Sequence, residues 1–229
     1  MNIIRILIIV ILMTGSIFSF AQDCKYEIGV DGGPGVRLVY GLLNTQVKQY
    51  SLAYIGGSAG VSFQYNIDKI FSVKTAISYD IKGAEESVVL VDQYGIMDPA
   101  LMFHINLNYL TLPVLVKASF GKKIKFFINA GPYLSVLLKE ENKFPYAYPW
   151  TDMTNSYKPI DFGIQAGLGI SIPIKKRFDI TLEDRTSIGL IDIRKNSIPA
   201  DGHFKTFSSA LFFGFNYKFG KTKTTTKSS

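Results

Sequence analysis

Glu183 and Arg185 stand two residues apart, so on an extended chain an acid and a guanidinium would project from the same face. Lys74, Asp80, Lys82, Lys117 and Asp161 fall in the same way on alternate positions of apolar stretches, as do Asp31, Asp179 and Lys218. Charges gathered on one face could form an ion path or a proton-transfer site. They could equally be the salt-bridged filling of a narrow interior. Hydrolysis would instead need a nucleophile, a base and an orienting carboxylate. Only His104 and His203 are available as imidazole bases. Ser208 or Ser209 with His203 and Asp201, or Asp98 with His104, can be drawn as candidates, but no spacing singles either out. Two histidines and scattered acids define no metal site, and the lone Cys24 excludes a disulfide within the chain. No cofactor is expected.

What positions these charges is legible in the stretch FGIQAGLGISIPI, residues 162–174. Gly163 and Gly167 could be a helix contact face, and Gly167-Leu168-Gly169 could cradle a phosphate. Yet Phe162, Ile164, Ala166, Leu168, Ile170 and Ile172 alternate with Gly163, Gln165, Gly167, Gly169 and Ser171. A period of two is the signature of a strand with two different faces. A helix face or a phosphate loop would not require its glycines at every second position. They read as space-makers on an inner wall, leaving room for Lys, Arg and Tyr side chains from other strands.

The same alternation recurs. Phe71, Val73, Thr75, Ile77, Tyr79 and Ile81 interleave with polar residues, and so do Leu110 to Phe120, Phe126 to Val136 and Leu211 to Phe219. Eight strands result, over about 26–36, 54–66, 70–83, 107–120, 124–138, 160–174, 177–191 and 205–219. Short turns at Asn66–Lys69, Gly121–Lys123 and Lys175–Lys176 alternate with long connections at 37–53, 84–106, 139–159 and 192–204. Short turns on the periplasmic side and long loops outside mark an outer-membrane barrel. Phe63, Tyr65, Phe71, Phe120, Phe126, Phe178, Tyr217 and Phe219 cluster beside the short turns, at the level of an interfacial girdle.

Composition agrees. Hydrophobic residues make up 47% of the 229 and charged residues 19%, with a mean hydropathy of +0.17. A soluble barrel of lipocalin type would need dense charge on its outer face, whereas the polar positions here are mostly Gly, Ser, Asn and Gln. Residues 1–21 read as a cleaved secretory signal: Arg5, the apolar run Ile6–Met13, then Ser19-Phe20-Ala21. Ala21-Gln22-Asp23 before Cys24 does not resemble a lipoprotein processing site, so Cys24 reads as a free thiol. Residues 22–219 form the expected barrel domain, and 220–229 a disordered basic tail. Much of the net charge of +7 lies in that tail. Export and the lack of a basic-aromatic motif argue against nucleic acid as a partner.

The motifs NYLTLPVLVKASFG, FFINAGPYLSVLL, DFGIQAGLGISIPI and FGFNYKF, in that order, resemble the Bacteroidetes-type outer-membrane β-barrel domain, the PorT-like family. The resemblance spans nearly the whole mature chain. It implies an eight-stranded antiparallel transmembrane barrel in outer-membrane lipid, inserted by the barrel-assembly machinery. It also implies an association with a protein-secretion or gliding apparatus. Phe213, Phe215, Tyr217 and Phe219 look like the insertion signal of the last strand. Two features depart from the family: Asp184 falls on the lipid-facing side, and the chain continues ten residues past Phe219.

Eight strands leave no open pore, which favours the filled-interior reading of the inward charges. Pro113 and Pro132 become near neighbours if Phe120 lies opposite Phe126, and a bulge or twist is expected there. The stretch SVVLVDQYGIMDPALMFHIN is apolar enough to continue its hairpin above the membrane. The third long connection holds Phe144, Tyr146, Tyr148, Trp150 and Tyr157 among three prolines. Exposed aromatics stiffened by proline suit recognition of a sugar or a protein surface; they could also cover the barrel mouth or anchor in the interface. The expected role is a non-catalytic membrane scaffold whose outer loops contact a partner. The alternatives are an accessory of a secretion apparatus and, third, a lipid- or peptide-modifying enzyme at the barrel mouth.

Overall fold

Alternation of apolar and small polar residues forces each strand to choose between two environments, and eight such strands close on themselves. The computed structural model describes residues 24–42, 51–88, 101–143, 151–152, 157–195 and 203–221. In chain order the strands are β1 (Cys24–Leu42), β2 (Ser51–Leu52), β3 (Tyr54–Asn66), β4 (Phe71–Val88) and β5 (Leu101–Phe120). They continue as β6 (Lys125–Lys143), β7 (Thr151–Asp152), β8 (Ile160–Lys175), β9 (Phe178–Gly189) and β10 (His203–Lys221). The eight long strands form one antiparallel ring, each beside its neighbour in the chain. Pairing of β1 with β10, from Cys24↔Lys221 to Leu42↔His203, closes it. Two-residue β2 and β7 extend the ladder beside β4 and β6. The leader expected over 1–21 lies outside the described residues, and β10 runs two residues into the stretch expected as a tail.

The barrel is apolar outside and polar inside. Leu168 is 62% exposed and Phe213 58%, while Ser62, Gln64, Asn129 and Gln165 are buried. With no water in hydrocarbon, closure leaves no strand edge unpaired. The start of β1 at Cys24, the end of β10 at Lys221 and the turns at 67–70, 121–124 and 176–177 lie at one end of the barrel. In the first turn the Asp68 carboxylate accepts the N–H groups of Ile70 and Phe71, each at 2.7 Å. The Phe71 and Ile70 N–H groups hold that exposed carboxyl below its ordinary range. The second turn places Gly121 at φ 116°, a conformation that favours glycine. Just above these turns Tyr26 stacks on Phe63 at 5.9 Å and on Phe219 at 5.6 Å, and Phe178 on Phe215 at 5.4 Å. This is the girdle level, with Tyr26 added to its members.

The strands are longer than their alternation indicates: β4 and β5 stay paired up to Val88↔Leu101, well inside the connection expected at 84–106. Above the lipid band neither face meets hydrocarbon, so the period of two fades while the hydrogen bonding continues. Phe120 does stand opposite Phe126. The bulge expected at Pro113 and Pro132 is elsewhere. Pairing lapses between Pro113↔Tyr133 and Val116↔Ala130 with no change of register, and the register shifts instead at Asn108/Tyr109. Pro113 is buried and its carbonyl accepts a bond from Thr75 Oγ1 at 2.8 Å.

The glycines of β8 make room for inward side chains. A Cβ on Gly167 would stand 2.6 Å from Glu183 Oε1 and 2.9 Å from Asn129 Oδ1. One on Gly163 would meet the Tyr133 ring, and one on Gly169 the Phe127 ring. Gly167→Val should therefore destabilise the barrel by about 1–3 kcal/mol through overpacking, read as a lower urea midpoint in detergent micelles. Equal midpoints would contradict the close packing.

Among the described residues, Asp184 is the one charged side chain on the outward band from Ile28–Leu38 round to Phe207–Phe219. Ser209 Oγ donates to its Oδ1 at 3.3 Å, and Thr186 Oγ1 donates to Ser209 Oγ at 3.2 Å. Two hydroxyls offset only part of the cost of a carboxylate facing lipid. Asp184→Leu should raise stability in phospholipid vesicles by about 1 kcal/mol. Urea unfolding in those vesicles measures it, and a loss would mean that this position does not face lipid.

Candidate functional site

The lumen is filled in tiers, built by the inward residues of every long strand. Nearest the turns, Asp179 accepts a hydrogen bond from Ser171 Oγ at 2.9 Å and is ion-paired with Lys218. Lys117 Nζ donates to Gln64 Oε1 at 3.0 Å and lies 4.1 Å from the centre of the Phe127 ring. Gln64 passes the chain on to Asn66 at 2.7 Å, and Asn66 to Glu27 at 2.9 Å.

The middle tier is a four-charge cluster. Arg185 Nε and Nη2 reach the two oxygens of Glu183 at 3.0 and 2.9 Å, a bidentate pair made by neighbours on one face of β9. Arg185 Nη2 also reaches Asp31 at 3.1 Å, from across the seam strand β10. Lys74 bridges the same two acids, at 3.2 Å to Asp31 and 3.3 Å to Glu183. Asn129 Nδ2 adds a donor to Glu183 at 3.0 Å, and the Arg185 guanidinium lies 3.8 Å from the Phe212 ring centre. Two cations face two anions, so the tier is neutral, and each charge has partners. A buried ion pair is tolerable only under those conditions.

Above it, Arg37 Nη2 donates to Ser58 Oγ at 2.6 Å beside a small polar cavity lined by Asp80, Gln165 and Ser208. That cavity, about 10 Å³, is close to the smallest that admits one water. The next tier centres on Asp161, which is fully buried. Its Oδ2 accepts bonds from Thr206 at 2.8 Å, Lys82 at 3.0 Å and Tyr133 at 3.1 Å. The Lys82 ammonium lies against two aromatic faces, 4.6 Å from the Tyr133 ring centre and 4.9 Å from that of Tyr109.

An apolar cap closes the outer mouth. Val39, Leu107, Tyr109, Leu137, Ile193 and Phe204 form one buried cluster, with Ile105 and Tyr157 packed against it. Ile193 comes from the connection after β9, not from a strand. It is tied in by its N–H to the Phe204 carbonyl at 2.9 Å, and its own carbonyl accepts from Lys158 at 2.7 Å. Arg194 follows, 3.6 Å over the Phe204 ring.

The structure thus brings Lys74, Asp80, Lys82, Lys117, Asp161, Glu183 and Arg185 into one interior, all buried. Among the described residues two further charges, Arg37 and Glu140, are buried in the same interior. Arg37 lies one residue past the expected end of its strand, on the same face as Asp31. Glu140 faces inward because the register shift transfers the inward face from the odd-numbered positions Phe127 to Leu137 to even-numbered Glu140. Of the outer-loop aromatics, Phe144, Tyr146, Tyr148 and Trp150 lie outside the described residues, and Tyr157 packs against the cap. Asp98 and Asp201 also lie outside them, and only the backbones of His104 and His203 are described. Ser208 faces the lumen, while Ser209 faces out beside Asp184. Phe213, Phe215, Tyr217 and Phe219 line the outer face of β10 towards the girdle. Among the described residues no three His, Cys, Asp or Glu side chains are grouped to hold a metal ion.

Most of the inward charges are paired with one another, while Asp31 Oδ1, Asp161 Oδ1, Asp179 Oδ1 and Gln165 Nε2 have no hydrogen-bond partner among the described residues. Residues 20–195 match the family model described as an outer membrane protein beta-barrel domain. No curated protein matches the chain. Among solved structures, Neisserial surface protein A is similar at 13% identity and TM-score 0.48, covering 85% of this chain and 97% of that one. OprG from Pseudomonas aeruginosa is similar at 13% identity and TM-score 0.46, covering 88% and 99%. Outer membrane protein W of E. coli is similar at 14% identity and TM-score 0.43, covering 87% and 100%.

Proposed function

The chain belongs to the outer membrane protein beta-barrel domain family, and from that premise we propose that it is a non-catalytic, membrane-embedded scaffold whose outer loops contact a partner or ligand. The observation that carries this reading is the filled lumen: ion-paired tiers from Asp179 to Asp161, sealed by the Ile193 cap. A barrel with no interior to offer acts through what it displays. The lengths of β4, β5 and β6, 18 to 20 residues, exceed the about 9–11 that a tilted strand needs to cross a bilayer, which supports that role. The aromatics Tyr146, Tyr148 and Trp150 are the residues assigned to contact. Phe213, Phe215, Tyr217 and Phe219 are assigned to recognition by the assembly machinery.

Crosslinking in the native membrane tests this. A captured surface protein or glycan should be lost when Tyr146, Tyr148 and Trp150 are replaced by alanine, while the barrel keeps its heat-modifiable gel mobility. Capture that survives the triple replacement would sink the loop assignment. The order and wording of the motifs quoted above favour a second reading, an accessory of a secretion or gliding apparatus of the PorT-like kind. Its mark is co-purification of export components and loss of protein secretion on deletion of the gene.

A further inference from the structure

The two ends of the barrel differ in charge. At the outer end acids and bases mix, as in Lys139, Glu140 and Glu141, or Asp192, Arg194 and Lys195. At the end that holds Cys24 and Lys221 the turns are basic: Lys69 in the first, Lys122 and Lys123 in the second, Lys176 and Arg177 in the third. Lys125 and Lys175 flank them. The one acid of those turns, Asp68, has its carboxylate engaged by the N–H groups of its own turn. Glu27 and Asp179 sit at the same end but accept bonds from interior side chains.

A second pattern accompanies the cations. Ile67, Ile70, Ile124 and Ile174 in or beside those turns are 59%, 43%, 46% and 51% exposed. Isoleucine at the tip of a tight turn gains nothing in water. It gains at the boundary between acyl chains and headgroups. The level fits, because the girdle residues Phe71, Phe120 and Phe126 lie within a few residues of the tips. At that level Lys25 Nζ lies 5.4 Å from the Tyr65 ring centre, and Arg177 Nη1 donates to Tyr217 OH at 3.2 Å. The turns therefore continue the lipid-facing surface of the barrel into the headgroup layer and meet it with positive charge.

We infer that this collar binds the phosphate groups of anionic phospholipid in the leaflet at that end of the barrel. Ammonium and guanidinium groups on three separate turns surround the barrel, so the occupant is a ring of headgroups and not one buried molecule. Each cation near an anionic surface favours association by roughly fivefold, and the effect is screened by salt.

Spin-labelled phosphatidylglycerol and phosphatidylcholine, added separately to vesicles holding the full-length folded barrel, report which lipid is immobilised at its surface. Phosphatidylglycerol should be immobilised at least about threefold more strongly, and the preference should collapse at high salt and in the variant K122Q/K123Q/K176Q/R177Q. Equal immobilisation of the two lipids by the wild type overturns the inference, as does a preference that high salt leaves intact. If the variant does not fold, the salt titration of the wild type decides alone. Sedimentation with isolated peptidoglycan, without any lipid preference, would also overturn it and would assign the collar to an acidic polymer.

Discussion

Glu183→Ala should lower the stability of the folded barrel by about 3–5 kcal/mol, the loss expected when one partner of a buried pair is removed. The reason is what it leaves behind. Lys74 and Arg185 both point at the Glu183 carboxylate, and both are buried. With it gone, Asp31 alone would face two cations, and Asn129 would lose its acceptor. Water cannot easily repair the deficit, since the neighbouring cavity is about 10 Å³. Glu183→Gln keeps the shape and the bond from Asn129 but not the charge, and should fall between alanine and wild type. Urea unfolding in micelles, followed by tertiary-structure circular dichroism, ranks the three. If alanine and glutamine were both neutral, the cluster would be solvated and the filled lumen would be wrong.

Asp161→Ala is the second large effect, again about 3–5 kcal/mol. One carboxylate oxygen here accepts from Lys82, Tyr133 and Thr206, and the residue has no exposure at all. Its removal strands the Lys82 ammonium against the rings of Tyr133 and Tyr109, which attract a cation without neutralising it. The double variant Asp161→Ala/Lys82→Met should recover much of the loss, because taking out both charges leaves no orphan. A double variant no better than the single would place the stabilising partner of Asp161 elsewhere.

These two sites show how far the sequence could be read. That Lys74 and Lys117 point inward follows from alternation, since Val73, Val116 and Ala118 beside them belong to the apolar face; Glu183 and Arg185 follow from the period of two along β9, in which Ile180, Leu182 and Ile188 mark the other face and Asp184 interrupts it. Which charges meet does not follow. Lys74 reaches Glu183 across 109 residues of chain, and that contact depends on the barrel's closure and width, not on any one register. Pairing inside a lumen is a property of the ring.

The residues that alternation does not indicate lie at or beyond a break in it. Arg37 continues the inward face of β1 between Val36 and Leu38, but Gly32-Gly33-Pro34-Gly35 interrupts the pattern before it is reached. Glu140 follows the register shift, which moves it off the face that counting from Phe127 would give. Ile193 has no periodicity around it and joins the core only because its connection folds back over the mouth. Pro113 and Pro132 misled in the other direction. A missing N–H need not create a bulge when the ladder can simply lapse for two residues, as it does between β5 and β6.

The account rests on the lumen being closed. Single-channel recording of the purified full-length protein in planar bilayers tests this directly, with insertion verified by heat-modifiable mobility of the same preparation. Ion-paired tiers beneath an apolar cap predict a silent membrane at every applied voltage. Steady unitary currents of one reproducible size would contradict it.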